Sequence, residues 1–202
     1  LMTTFLLALT VQAQSVFNEV SYSPKQTTFK LNAPKKPILR IYDTGRGGNA
    51  IKKIKMKQTA TNVWETTING DLKGKFYTFD IGRGETPGVF AKAVGINGHR
   101  GAIVDMQTTN PTGWNNDHRL TLKNPADLII YEMHHIDFSI DPSSGLVNKG
   151  KFLALTEQKA IKHLKELGVN AVHILPSFDF ASIDESNTTT PQYNWGYDPL
   201  NY

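Results

Sequence analysis

Between Phe17 and Thr112, apolar residues recur at every second position in short runs, and each run stops at residues that favour turns. Thr27–Leu31 ends at Asn32-Ala-Pro34, and Ile38–Tyr42 ends at Asp43-Thr-Gly45. Ile51–Met56 alternates apolar with basic residues, Val63–Ile68 stops at Asn69-Gly70, and Phe76–Ile81 stops at Gly82. Alternation of period two with turn residues roughly every 8–12 positions predicts an antiparallel, two-layered all-β arrangement. No stretch in this half repeats with the 3.6-residue period of an amphipathic helix. Trp64 lies inside one of the runs and is read as core, because alternation buries one face of a strand.

Beyond Pro125 the pattern changes. Asp127–Tyr131 is an almost unbroken apolar run, as expected of a strand buried on both faces. Thr156 is placed to cap a helix with Glu157 in its first turn, at the positive end of the helix dipole. Ala160, Ile161, Leu164 and Leu167 then fall on one face, and Gly168 supplies the stop. Val169–Leu175 reads as a second buried strand, closed by Pro176. Strand, helix and strand in this order predict a βαβ unit with parallel strands. One such unit cannot cover its own sheet, so a longer polypeptide is expected. Trp114 is expected to pack at the boundary between the halves.

Composition narrows the function classes. The 202 residues carry 22 basic and 18 acidic side chains, spread without a dense basic block, so no nucleic-acid partner is indicated. With 39% hydrophobic and 20% charged residues, 16 Gly and 10 Pro, the chain reads as folded and rich in loops. It contains no cysteine, which excludes disulfides and thiolate metal sites. Phe5–Val11 is a short apolar run followed by small residues at positions 11 and 13, the pattern of a signal peptide cleaved before Gln14. It falls far short of the ~20 residues that span a bilayer. Residues 1–13 are therefore expected to be part of an export signal, with a secreted or periplasmic product and no membrane span.

The densest candidate chemistry is Tyr193–Tyr202, with three Tyr, one Trp, two Asn and one Asp in ten residues. Sugars bind through CH faces stacked on aromatic rings and through hydroxyls bonded to Asp and Asn. A loop that follows a parallel strand is where α/β barrels place such groups. A packing loop without a ligand has the same composition, so the residues alone leave both readings open. His134 and His135 resemble a metal pair, but neighbours on a strand point to opposite faces, so a structural role is expected. Glu132 and Asp137 would lie ~16 Å apart on a strand and on opposite faces, too far for a catalytic pair.

Tyr193-Asn-Trp-Gly-Tyr-Asp-Pro199 resembles the signature of type I pullulanases, in the α-amylase superfamily (glycoside hydrolase family 13). Leu128–His134 with Asp137-Phe-Ser139 resembles that family's first barrel strand, and Asn148–Glu157 resembles its first strand-to-helix loop. Gly70–Tyr77 and Ala91–Gly98 resemble its N-terminal module, and Thr109–Trp114 the lead into its barrel. The sequence departs from the pattern at Ile136, where the family usually has Arg, and at Pro87–Phe90, where it usually has Asp-Pro-Tyr. The resemblance implies a multidomain chain: an immunoglobulin-like, starch-binding-type β-sandwich over residues 14–115, then over 116–202 the first βαβ portion of a truncated TIM (β/α)8 barrel.

The resemblance implies substrate contacts as well. Tyr197 would be the aromatic platform under the sugar whose bond is cleaved. Trp195 and Asn194 would shape neighbouring subsites, and Asp198 would bond a hydroxyl or orient a later catalytic residue. The family hydrolyses α-1,6 linkages of pullulan, starch or glycogen with retention, using two carboxylates ~5–5.5 Å apart. Both lie beyond Tyr202 in the family pattern, so no catalytic residue and no metal ligand is assigned here. The 202-residue chain is expected to lack hydrolytic activity of its own. The expected partner is an α-glucan; no cofactor is expected, and calcium is left open for a full-length enzyme. A branching enzyme with the same two-module plan and a non-catalytic α-glucan-binding protein are the alternative readings.

Overall fold

A computed structural model describes residues 17–201, so the leader expected at residues 1–13 and the terminal Tyr202 lie outside the described residues. Two compact units divide the chain. One runs to Ala93 and takes in Gly101–Val104; the other comprises Val94–Arg100 and Asp105–Tyr202. Among the described residues strands dominate, and helix is confined to two α-helices and short 3-10 turns.

The first unit contains β1 (Val20–Ser23), β2 (Gln26–Asn32), β3 (Ile38–Tyr42), β4 (Lys52–Lys55), β5 (Lys57–Ala60), β6 (Val63–Asn69), β7 (Phe76–Asp80), β8 (Glu85–Thr86) and β9 (Gly101–Ala102). They form two antiparallel sheets, one in the order β1-β2-β6-β5 and the other β4-β3-β7-β8 with β9 also on β7. Alternation decides which side chains meet. Phe29 and Leu31, Leu39 and Ile41, Ile68, and Tyr77 and Phe79 come from β2, β3, β6 and β7 into one core. Tyr77 packs edge-on against Phe29 and against Phe79, with ring centroids 5.4 Å apart in both pairs. A register slip of one residue would turn each apolar set outward, so this core fixes the pairing. Trp64 packs against it, and its indole N–H donates to the Ala33 carbonyl at 2.9 Å.

β4 and β5 are one stretch of chain. Lys52–Lys55 pairs with β3 at the margin of one sheet, Met56 is fully buried, and Lys57–Ala60 pairs with β6 at the margin of the other. Lys52, Lys53, Lys55 and Lys57 are exposed.

Glu19 is the exception in this well-patterned unit, a carboxylate only 2% exposed. It accepts the Phe90 N–H at 2.9 Å, and a β-carbon on Gly88 would fall 2.2 Å from one of its oxygens. Burial pushes its pKa above the ordinary carboxylate value, while the Phe90 and Val89 amides pull it back in part. A carboxyl whose folded pKa is raised binds its proton more readily in the folded state. Its stabilising contribution is therefore complete below the unfolded pKa and is lost as pH rises through the folded one. Glu19→Gln keeps an acceptor without the charge. The melting temperature of the native chain, relative to Glu19→Gln, is expected to be more favourable at pH 4.5 than at pH 7.5. An equal difference at both pH values would remove Glu19 as the cause.

The second unit contains β10 (Ile130–Met133), α1 (His135–Ser139), α2 (Gln158–Glu166), β11 (Ala171–Ile174), β12 (Asp179–Phe180) and β13 (Pro199–Asn201). β10 and β11 pair in parallel from Ile130 with Ala171 to Met133 with Ile174. The expected strand-helix-strand order is present, with three differences. The cap position is Glu157, not Thr156, and the helix begins at Gln158. The Glu157 carboxylate accepts the Val147 and Asn148 amides at 3.0 and 2.7 Å, fastening a distant loop instead of sitting inside the first turn. Ala160 and Leu164 are buried as expected, but Leu167, at the C-cap, is 54% exposed. Nor is either strand buried on both faces: Ile129 and Ile130 are 53% and 58% exposed and Val172 42%, since a sheet of two strands offers them few neighbours.

Candidate functional site

Residues 193–198 of the aromatic segment lie between β12 and β13, which pair antiparallel and close a loop over residues 181–198. That loop follows β11, whose end is bonded to β10 through Leu175 N–H to the Met133 carbonyl at 2.9 Å. Its tightest point is Gly196, with φ of +90°. A β-carbon there would stand 1.8 Å from the Pro176 carbonyl oxygen, so only glycine lets the loop cross the Pro176 backbone.

Asn194 and Asp198 hold the loop's shape. Asn194 Oδ1 accepts Gly196 N–H at 2.5 Å, and Asn194 Nδ2 donates to Asp198 Oδ1 at 2.8 Å and Ser182 Oγ at 2.7 Å. Asp198 Oδ2 accepts Ser182 N–H at 3.0 Å. The bonds from Ser182 and then Asn194 keep the Asp198 carboxyl below its ordinary pKa, so it is ionised in the folded loop.

The rings face outward. Tyr193 and Trp195 are each 56% exposed, and Tyr197 is 67% exposed. Of the four residues expected to touch sugar, Tyr197 and Trp195 offer open ring faces, whereas Asn194 and Asp198 spend polar atoms on the loop itself. Open ring faces are surfaces on which the CH faces of a sugar can stack.

The sequence reading missed the support under these rings. Trp195 Nε1–H donates to the Tyr193 hydroxyl at 2.5 Å, and that hydroxyl donates to Asp137 Oδ2 at 2.5 Å. The Tyr193 ring also packs edge-on against His134, with centroids 5.4 Å apart. Asp137 holds the Tyr193 hydroxyl above its ordinary pKa, so the phenol stays a donor. The Asp137-Phe-Ser139 motif was legible, but nothing local in it points to Tyr193.

His134 and His135 do not sit as strand neighbours. β10 ends at Met133, the chain turns into α1, and the two rings lie 5.0 Å apart. His135 stacks on Phe152 at 4.0 Å, and its pKa is lowered by burial and then by His134, which suits a neutral packing ring. Among the described residues, no group of three or more His, Cys, Asp or Glu could hold a metal ion. Glu132 lies 3.3 Å from His173 across the parallel pair, while Asp137 is in α1, so the two are not a strand pair at all. Trp114, on a 3-10 turn at Trp114–Asn116, is 55% exposed. Asn97 fastens the 94–100 segment to the same loop, donating to the Glu185 carboxylate at 2.6 Å and to the Ile183 carbonyl. Among the described residues, no helix is long and apolar enough to cross a membrane.

No sequence-family profile matches the chain. It is 35% identical over 199 residues to the pullulanase of Bacillus subtilis (strain 168), an alignment covering 90% of this chain and 26% of that protein. It superposes on the crystal structure of the apo pullulanase from Paenibacillus barengoltzii with a TM-score of 0.86 and 39% identity, covering 93% of this chain and 31% of that one. The same enzyme in complex with maltohexaose and α-cyclodextrin matches with a TM-score of 0.85 and 39% identity, over 93% of this chain and 31% of that chain. The chain is thus a relative of the pullulanases and spans about a quarter of the length of the Bacillus subtilis enzyme.

Proposed function

From this relationship we propose that the chain supplies the N-terminal, α-glucan-contacting region of an exported debranching hydrolase that cleaves α-1,6-glucosidic linkages with retention. Residues 14–115 are the starch-binding-type, immunoglobulin-like module, and residues 116–202 begin a (β/α)8 barrel whose later strands carry the nucleophile and the acid/base. One observation carries the reading: Tyr197 and Trp195 hold open ring faces beyond the end of β11, in a loop whose polar side chains are already committed to its shape. A packing loop would bury those rings.

Titration of the 202-residue chain with maltotetraose, followed by tryptophan fluorescence, tests it. Tyr197→Ala is expected to weaken binding roughly three- to tenfold, the scale of a lost ring contact. Tyr197→Phe keeps the ring and should change binding much less. Because Tyr197 is largely exposed, its removal should leave the melting temperature nearly unchanged. Unaltered affinity in the alanine variant would overturn the assignment. The chain alone is expected to release no reducing ends from pullulan. Release above a blank and abolished by heating would place the catalytic carboxylates within these residues.

A further inference from the structure

We infer that Asp137 is a positioning residue for sugar binding: it orients Tyr193, and Tyr193 in turn fixes the indole of Trp195. The inference rests on the reading of Trp195 as a sugar contact, and it assigns a role to a carboxylate 56 residues away in sequence from its partner.

The geometry runs in one direction. A phenol hydroxyl has one proton to give and lone pairs to receive another. Tyr193 gives its proton to Asp137 Oδ2 and so presents a lone pair to Trp195 Nε1–H. A carboxylate oxygen offers only lone pairs, so the single hydroxyl proton is committed to Asp137 and a lone pair is left for the indole N–H. The indole can only donate, so the hydroxyl favours the Trp195 orientations that point Nε1–H at it. Without Asp137, the hydroxyl is free to rotate, and the indole loses its preference.

Asp137 has a firm seat. It lies in α1, whose Ser139 hydroxyl donates back to the His135 carbonyl at 2.7 Å, and Ser139 is fully buried. His134, only 5% exposed, backs the Tyr193 ring, and its Nδ1 lies 3.7 Å from Asp137 Oδ2. The exposed indole is therefore referenced to buried structure through two hydrogen bonds. An exposed side chain with three or four orientations loses affinity in choosing one on binding; a chain of bonds that chooses beforehand removes that cost.

The test uses the indole N–H resonances of the 202-residue chain in nitrogen-proton NMR, where Trp195→Phe identifies the Trp195 signal. Asp137→Asn and Tyr193→Phe are expected to move the Trp195 indole resonance while those of Trp64 and Trp114 stay in place. Phenylalanine keeps the ring against His134, so folding is preserved. Both variants are expected to weaken maltotetraose binding roughly three- to tenfold, the effect of one net hydrogen bond. A Trp195 resonance unmoved in both variants overturns the inference. A moved resonance with unchanged affinity overturns the role in sugar binding, while the Tyr197 variants leave the reading of the loop intact. If the native chain fails to bind maltotetraose, the functional reading falls, and the indole shifts then separate that failure from a failure of the hydrogen-bond chain.

Discussion

Replacing Gly196 by alanine is expected to dislodge the aromatic loop and to cost the second unit about 2–4 kcal/mol, the range of a strained backbone position with an added clash. Two effects act together. The φ of +90° is one that side chains rarely adopt, and the new methyl group would lie 1.8 Å from the Pro176 oxygen and 2.6 Å from its carbonyl carbon. Those atoms are backbone, close behind β11, and cannot swing aside as a flexible side chain would. The loop must lift instead, breaking Asn194 to Gly196 and with it the bonds that shape Asp198. Amide resonances of residues 193–198 should shift, and maltotetraose binding should fall further than in Tyr197→Ala. Native-like spectra with native affinity would show that the crossing at Pro176 is not tight.

Phe79→Ala should have the largest effect on the first unit. Phe79 is fully buried, faces Leu39 across the β3–β7 ladder and packs edge-on with Tyr77. Deleting a buried phenyl ring costs about 3–5 kcal/mol through lost transfer energy and the cavity left behind. For a domain of modest size that is much of its stability. Urea unfolding reported by Trp64, in a chain with Trp114 and Trp195 changed to phenylalanine, should show the midpoint moving sharply down. Val89→Ala, at a position 89% exposed, should shift it by no more than about 0.5 kcal/mol. A loss below about 1 kcal/mol for Phe79→Ala would contradict the packing described for this core.

Legibility in the sequence followed how local each determinant was. Ile38–Tyr42 was readable to the residue because alternation and a turn at Asp43 both act within a few positions. β1 and β5 escaped notice because they are margin strands: all four residues of β5 are exposed, so no apolar face marks it. The start of α2 is not legible locally, because Glu157 answers to the Val147 and Asn148 amides, partners that helix-capping rules do not weigh. Within the candidate site, Tyr197 and Trp195 stood out by composition. Asp137 did not, since its function depends on a partner reached only through the fold. The roles of Asn194 and Asp198 were visible as polar chemistry, but their direction, inward toward the loop, was set by Ser182 and Gly196.

The stretch from Lys52 to Ala60 bears on how the protein behaves at high concentration. A margin strand carries unpaired N–H and C=O groups, a template onto which another molecule's strand can add. Here one segment guards a margin of both sheets, and it carries Lys52, Lys53, Lys55 and Lys57 within six positions. A second copy approaching either margin edge to edge would bring like charges together before any ladder could form. That repulsion weakens as salt screens it, with a Debye length of about 10 Å at 0.1 M and about 3 Å at 1 M. Lysine chemistry thus opposes runaway strand-on-strand polymerisation, and neutralising these four side chains would leave two templates open.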